Sequence, residues 1–167
     1  KNVGLNFVQA IVKEREGGQF LSISNFLERI NTKDLNKKSL ESLIRAGVFD
    51  KLGERNCLLF NLELLLEFNR EIKKSQIFGQ KNLFTNLFGQ KSQLRLKPTK
   101  PATKAERLSW ERELLGLYIS GHPLENFAEA LEKKVLPIKK VNGDNSERIV
   151  RVGGIISKIK KILTKMG

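Results

Sequence analysis

The chain has 167 residues and a formal net charge of +13, a balance that favours a polyanionic partner over an acidic or neutral one. Its length allows one core or a small domain with tails, and excludes a long multidomain enzyme. No apolar run approaches the ~20 residues of a spanning helix. The start of the chain also lacks the basic, apolar, small-residue order of a secretory signal, so the expectation is a cytoplasmic protein with no membrane partner. A single cysteine and a single histidine provide neither an internal disulfide nor a Cys/His metal cluster.

In chain order, Leu5, Val8, Ala10, Ile11 and Val12 recur at helical spacing and predict a helix over 5–15 that ends at Gly17-Gly18. Ser22 or Ser24 can cap a second helix running to Ile30, and Asn36 a third that stops at Ala46-Gly47. Leu58, Leu62, Leu65, Leu66 and Phe68 mark one long helix over 54–74. Residues 79–105 hold no acidic side chain and include Pro98 and Pro101, which reads as an extended linker. Further helices are expected over 106–118 and 126–134, separated by Gly121-His122-Pro123. Alternation of Arg148, Ile149, Val150, Arg151 and Val152, followed by isoleucines, reads as β. Two strands alone do not hold together in water. That pattern, and an opening at Lys1 that already looks like the middle of a motif, suggest part of a longer protein.

Two turns could hold an anion. In Lys1-Asn2-Val3-Gly4-Leu5, a glycine just ahead of a helix could turn with φ > 0 and let a phosphate approach the unpaired N–H groups and positive end of the helix. The second turn, Asn31-Thr32-Lys33-Asp34, leads into Lys37-Lys38. It lacks glycine, so its contact would come from the helix start and from Lys33, Lys37 or Lys38. Each turn also suits a plain inter-helix connection. Two in tandem would grip nucleic-acid backbone with little regard for sequence. A third candidate is Gln80-Lys81-Asn82-Leu83-Phe84, in which Leu83 and Phe84 could fill an apolar pocket while the Gln80 amide bridges its rim; folding back onto the helices is the competing reading. His122 and Ser120 have no partner suited to catalysis, Trp110 and Tyr118 read as core, and no carboxylate pair suits two-metal chemistry. No catalytic residue, metal ligand or cofactor is expected in this chain.

Together these residues resemble the bacterial replicative DNA polymerase III alpha subunit, in its region after the catalytic palm. Lys1-Asn2-Val3-Gly4 with Ala10-Ile11-Val12 looks like its first helix-hairpin-helix. Leu35-Asn36-Lys37-Lys38, the run Leu40 to Ile44 and the run Ala46 to Gly53 look like the second. Gly79 to Phe84 is similar to the family's internal clamp-binding motif, and Glu113 to Pro123 to its signature segment. Val150 to Gly154 with Thr164 to Gly167 looks like the start of its OB domain. The resemblance implies a mainly α fold: a tandem helix-hairpin-helix domain over 1–76, a basic flexible linker with the clamp motif over 77–105, a helical connector over 106–137 and a truncated OB-like β segment over 138–167. It further implies double-stranded DNA as partner through Lys1, Val3, Gly4, Leu5, Lys33, Lys37 and Lys38. The sliding clamp, the beta subunit, would be bound through Gln80, Leu83 and Phe84, and other polymerase III holoenzyme subunits would lie nearby. The family's catalytic aspartates are not in this segment, so it should bind without catalysing. A free-standing helix-hairpin-helix repair module and a protein-interaction scaffold are the alternatives.

Overall fold

The computed structural model describes residues 1–77, 94–143, 146–156 and 159–161. They fall into two compact units, Lys1–Ser120 and Gly121–Gly167. Among the described residues the first holds six helices: α1 (Leu5–Glu16), α2 (Ile23–Arg29), α3 (Lys37–Arg45), α4 (Arg55–Phe60), α5 (Leu62–Ile77) and α6 (Lys104–Leu115). The second holds α7 (Ala128–Lys134) and short 3-10 turns at Glu125–Phe127 and Ile138–Lys140.

Local chemistry sets most helix starts. The Ser22 hydroxyl accepts from Asn25 N at 3.0 Å. Asn36 and Ser39 cap each other reciprocally, each side chain accepting from the other's backbone N–H at 3.0 Å. Thr103 and Glu106 repeat the arrangement at α6. Each cap satisfies amides that the helix leaves unpaired and contributes on the order of 1 kcal/mol. At the C-terminal ends, Gly47 and Gly116 both take φ of 81°, a left-handed turn that costs glycine little.

The core gathers Phe7, Phe26, Leu27, Ile30, Leu40, Ile44, Leu58 and Leu65, all essentially inaccessible. Phe26 meets Phe20 and Phe49 edge to face, with centroids 5.1 and 4.7 Å away. Helix α1 joins this core through Phe7 and the half-buried Ile11, while Leu5, Val8 and Val12 stay exposed. The apolar stripe expected from the sequence therefore faces outward in large part. Arg29 ties α1 to α2 by donating to the carbonyl oxygens of Glu14 and Gly18.

Four expectations need correction. The helix expected over 54–74 is two helices that meet at Asn61, a buried residue. Asn61 Nδ2 donates to Cys57 O at 2.8 Å and to Lys97 O at 2.9 Å, and its Oδ1 accepts from Lys97 N at 2.9 Å. Here an asparagine that could have continued the helix turns to a second segment of backbone. That segment is the second correction: residues 94–103, assigned to a flexible linker, dock on the domain. Leu94 and Leu96 pack on the core, and Ala102 is buried with its N–H donating to Glu54 Oε1 at 2.7 Å. Third, the β pattern over 148–156 forms no strand in the described residues. Ile149 is fully exposed, and the segment's backbone contact is Leu136 N donating to Arg151 O at 2.7 Å. Alternation defines one side of a ladder, and a ladder needs a facing strand. The helix end expected near 118 falls at Gly116 instead.

A charged cluster sits inside the first unit. Arg55 is buried and donates to both Asp50 carboxylate oxygens at 2.8 and 2.7 Å, to Arg45 O at 3.1 Å and to Glu111 Oε1 at 2.9 Å. Glu111 is wholly inaccessible, and its Oε2 accepts from the N–H groups of Ile119 and Ser120 at 2.7 and 2.9 Å. Gly47 makes room for this cluster: a Cβ there would lie 2.8 Å from Arg55 Cζ. Burial pushes the Glu111 carboxyl up, but the Ser120 and Ile119 amides and the Arg55 guanidinium overcome it and hold the group at about 2, below its ordinary 4.5.

A depressed folded-state value gives stability that is fully present above about pH 4.5 and lost as pH falls toward 2, on the order of 3 kcal/mol for this shift. Acid titration followed by far-UV circular dichroism is expected to show a loss of stability through that window. Glu111→Gln should lower stability at neutral pH by about 3 kcal/mol, since it leaves a buried guanidinium short of a charge partner, and should flatten the acid dependence. An unchanged denaturant midpoint for the variant would contradict this account.

Candidate nucleic-acid interface

The first turn is built from Lys1 to Leu5. The Lys1 nitrogen donates to Leu114 O at 3.1 Å, and Asn2 Nδ2 donates to Ser42 Oγ at 3.2 Å, which fixes the turn against α6 and α3. Val3 is half-buried against the core. Gly4 is the N-cap residue of α1, with φ −75° and ψ 154° and no side-chain cap. Its carbonyl accepts the first helical bond, from Val8 N at 3.2 Å. The N–H groups of Leu5, Asn6 and Phe7 therefore lie ahead of the helical ladder.

Glycine does not act here as the sequence suggested. The left-handed backbone belongs to Asn2, with φ 64°, a residue type that tolerates this region better than most. Gly4 is extended, and a Cβ on it would meet nothing within 4 Å. Its contribution is open space in front of three free amides at the positive end of a twelve-residue helix. Leu5, expected as a contact, has an exposed side chain.

The second turn is held differently. Lys73 of α5 donates to Thr32 O at 2.8 Å, and burial lowers its pKa. Thr32 Oγ1 accepts from Asp34 N at 3.2 Å, and Ser39 Oγ donates to Asp34 O at 2.7 Å. The reciprocal Asn36/Ser39 cap occupies one α3 amide, so this helix start is less open than that of α1. Lys33 and Lys38 are exposed and enter no ion pair among the described residues. Lys37 differs: it pairs with Glu63 of α5, which raises the Lys37 pKa and lowers that of Glu63. Of the three lysines expected as phosphate contacts, Lys37 is thus the one already paired with a carboxylate.

The Asn2 contact places the first turn beside Ser42, five residues along α3 from Lys37, or about 8 Å at 1.5 Å per residue. Two unlike anion-attracting features therefore meet along α3: bare amides on one side, and the cations Lys33 and Lys38 on the other. Sequence reasoning assigns Asn2 only a place in the first turn, with no role of its own, and assigns Lys73 none. The φ preference of asparagine could have signalled the first; Lys73 acts across 41 residues and leaves no local trace. Gln80, Leu83 and Phe84 lie outside the described residues.

The features set aside as non-catalytic have structural contacts. His122 Nδ1 accepts from Leu124 N at 3.2 Å while the His122 backbone N–H donates to Glu125 Oε1 at 2.7 Å, which closes a turn. Trp110 and Tyr118 are half-buried, each with an arginine guanidinium, of Arg45 and Arg112, within 6 Å of its ring. Among the described residues no three His, Cys, Asp or Glu side chains cluster as a metal site, and no helix is long and apolar enough to cross a membrane.

Residues 1–58, which comprise both turns and α1 to α3, match the model of the helix-hairpin-helix motif. Over 171 residues, covering 99% of this chain, the sequence is 36% identical to the DNA polymerase III subunit alpha of Borreliella burgdorferi. The Mycobacterium leprae subunit is 36% identical over 100% of the chain, and that of Thermus aquaticus 40% identical over 74%. The chain belongs to the DNA polymerase III subunit alpha family. It spans about 15% of the length of the first two relatives and 10% of the third. In this alpha-subunit segment the run from Glu113 to Pro123, the basis of part of the resemblance, has a visible task. Gly116 reverses the chain in the left-handed region, so that the amides of Ile119 and Ser120 return to Glu111.

Because Gly4 has an ordinary φ and open surroundings, Gly4→Ala should fold with a stability change below about 1 kcal/mol. Gly47→Ala, with φ 81° and a guanidinium in the way, should lose more than about 2 kcal/mol. Urea midpoints of the two variants check the contrast.

Proposed function

We propose that this chain is the part of a replicative DNA polymerase alpha subunit that holds duplex DNA by its sugar-phosphate backbone, and that it performs no chemistry itself. The observation that carries the reading is the uncapped, open start of α1 at Gly4 within a segment that matches the helix-hairpin-helix motif. Three amides directed at one phosphate, backed by the helix dipole, attract an anion without reading a base. Lys33 and Lys38 supply point charges to neighbouring phosphates, and the net charge of +13 favours approach to a polyanion. Backbone contacts of this kind tolerate any sequence and permit sliding.

The finer reading adds a tether. Gln80, Leu83 and Phe84 would anchor the sliding clamp, so that a weak duplex grip acts at high effective concentration. Other holoenzyme subunits would surround the segment in a cytoplasmic, nucleoid-associated assembly, and residues 138–167 would open an OB domain. No cofactor is required for any of these roles. A free-standing repair module is the second reading; the near end-to-end match to alpha subunits favours the first.

Gly4→Glu is expected to weaken binding of a labelled duplex about tenfold at low salt, by placing a carboxylate where the phosphate sits, and to leave clamp capture unchanged. Leu83→Ala with Phe84→Ala should abolish clamp capture and leave duplex binding intact. Duplex affinity equal to that of the unsubstituted chain in the Gly4→Glu protein would remove the hairpin from the proposal, and undiminished capture would remove the tether.

A further inference from the structure

We infer that the docked strap 94–103 is a second track for the DNA backbone, separate from the hairpins; this rests on the duplex-binding reading above. The strap runs antiparallel to α4 and is pinned along its length. Asn61 holds both the N–H and the carbonyl of Lys97, Asn56 Nδ2 donates to Lys100 O at 3.3 Å, and Glu54 accepts from Ala102 N. Leu94 and Leu96 seat its start on the core. Pro98 and Pro101 keep Lys97 and Lys100, the residues before them, in extended backbone.

These pins use backbone atoms and apolar side chains, and leave the cations over. Arg95, Lys97 and Lys100 are exposed, no carboxylate pairs with them among the described contacts, and the sequence supplies no acidic residue between 79 and 105. At ~3.2 Å per extended residue they span about 16 Å. Each DNA strand presents one phosphate per ~3.4 Å of axis, so the row can face about five. A cation on a fixed backbone loses less freedom on binding than one on a loose chain. That gain gives a physical reason for three polar side chains of α4 and its junction to hold a segment whose composition reads as linker. Nothing in the row is arranged to read base edges, which makes the partner a phosphate backbone.

Fluorescence anisotropy of a labelled duplex with the 167-residue chain, from about 50 to 200 mM salt, tests the track. Arg95→Gln, Lys97→Gln and Lys100→Gln together should weaken binding about tenfold at low salt and reduce the slope of log affinity against log salt by about 2 to 3. Lys13→Gln, Arg15→Gln and Lys51→Gln remove the same charge elsewhere and should change the slope by less than about 1. Equal loss in both proteins, or loss on single-stranded DNA alone, overturns the track. So does an unchanged strap variant; if Gly4→Glu still weakens binding in that case, the hairpin reading stands. No duplex complex with the unsubstituted chain removes both.

Discussion

The first unit depends on a charge pair that water cannot reach. Arg55 and Glu111 are 56 residues apart, and neither would be tolerated inside the domain without the other. The pair is sustained by completeness: Asp50 and the Arg45 carbonyl occupy the remaining guanidinium donors, and the Ile119 and Ser120 amides occupy the second carboxylate oxygen. Because these partners come from the exit of α3, the start of α4, the middle of α6 and the turn after it, one set of hydrogen bonds fixes four places in the chain. The hairpins gain from this indirectly, since α3 carries the contact to Asn2 and α6 the contact to Lys1.

In the proposed grip the two hairpins would attract an anion by different means, and the difference is decided at single residues. At α1 the absence of a side chain on Gly4 leaves the amides uncovered. At α3 the mutual cap of Asn36 and Ser39 stabilises the helix and takes up a donor that a phosphate could have used. The second turn must then work through side chains, and of its three lysines Lys37 is already engaged with Glu63. A glycine ahead of a helix can thus matter for what it leaves out, with no demand for an unusual dihedral.

Features of short range were legible in the sequence. Asn36 and the Ala46-Gly47 stop act within four residues of their targets and were placed by residue type and spacing, while Ser22 is the cap out of the two serines, Ser22 and Ser24, that the sequence offered. The mainly α class and the family followed from motifs of similar range. What escaped acts across the fold. Asn61 reads as an ordinary helix residue until Lys97 arrives 36 positions later, and Glu111 reads as one charge on a solvated face of α6 until Arg55 reaches it. Absence of acid and presence of proline made 94–103 resemble a linker; both are also features of a strap held by its backbone, whose cations stay in solvent. Ile149, Val150 and Val152, interspersed with Arg148 and Arg151, record a preference for extended backbone, and a preference becomes a strand only when a second edge lies alongside.

The strap also bears on how a proposed weak grip could act at length. Hairpin amides would define a contact at one phosphate, which by itself sets position but supplies little attraction. A row of cations has the opposite character: its attraction is spread over several phosphates, with shallow dependence on register. Joined through α4 and the core, the two would hold a duplex firmly across its backbone and loosely along it. The pinning matters to that division, because a mobile basic segment would follow the DNA wherever it moved, whereas a segment fixed by Asn61, Asn56 and Glu54 can attract a duplex only when it lies in one orientation relative to the hairpins. Orientation without register is what the proposed duplex grip would need, and in that proposal it would follow from the hydrogen bonds that Asn61, Asn56 and Glu54 make to the strap.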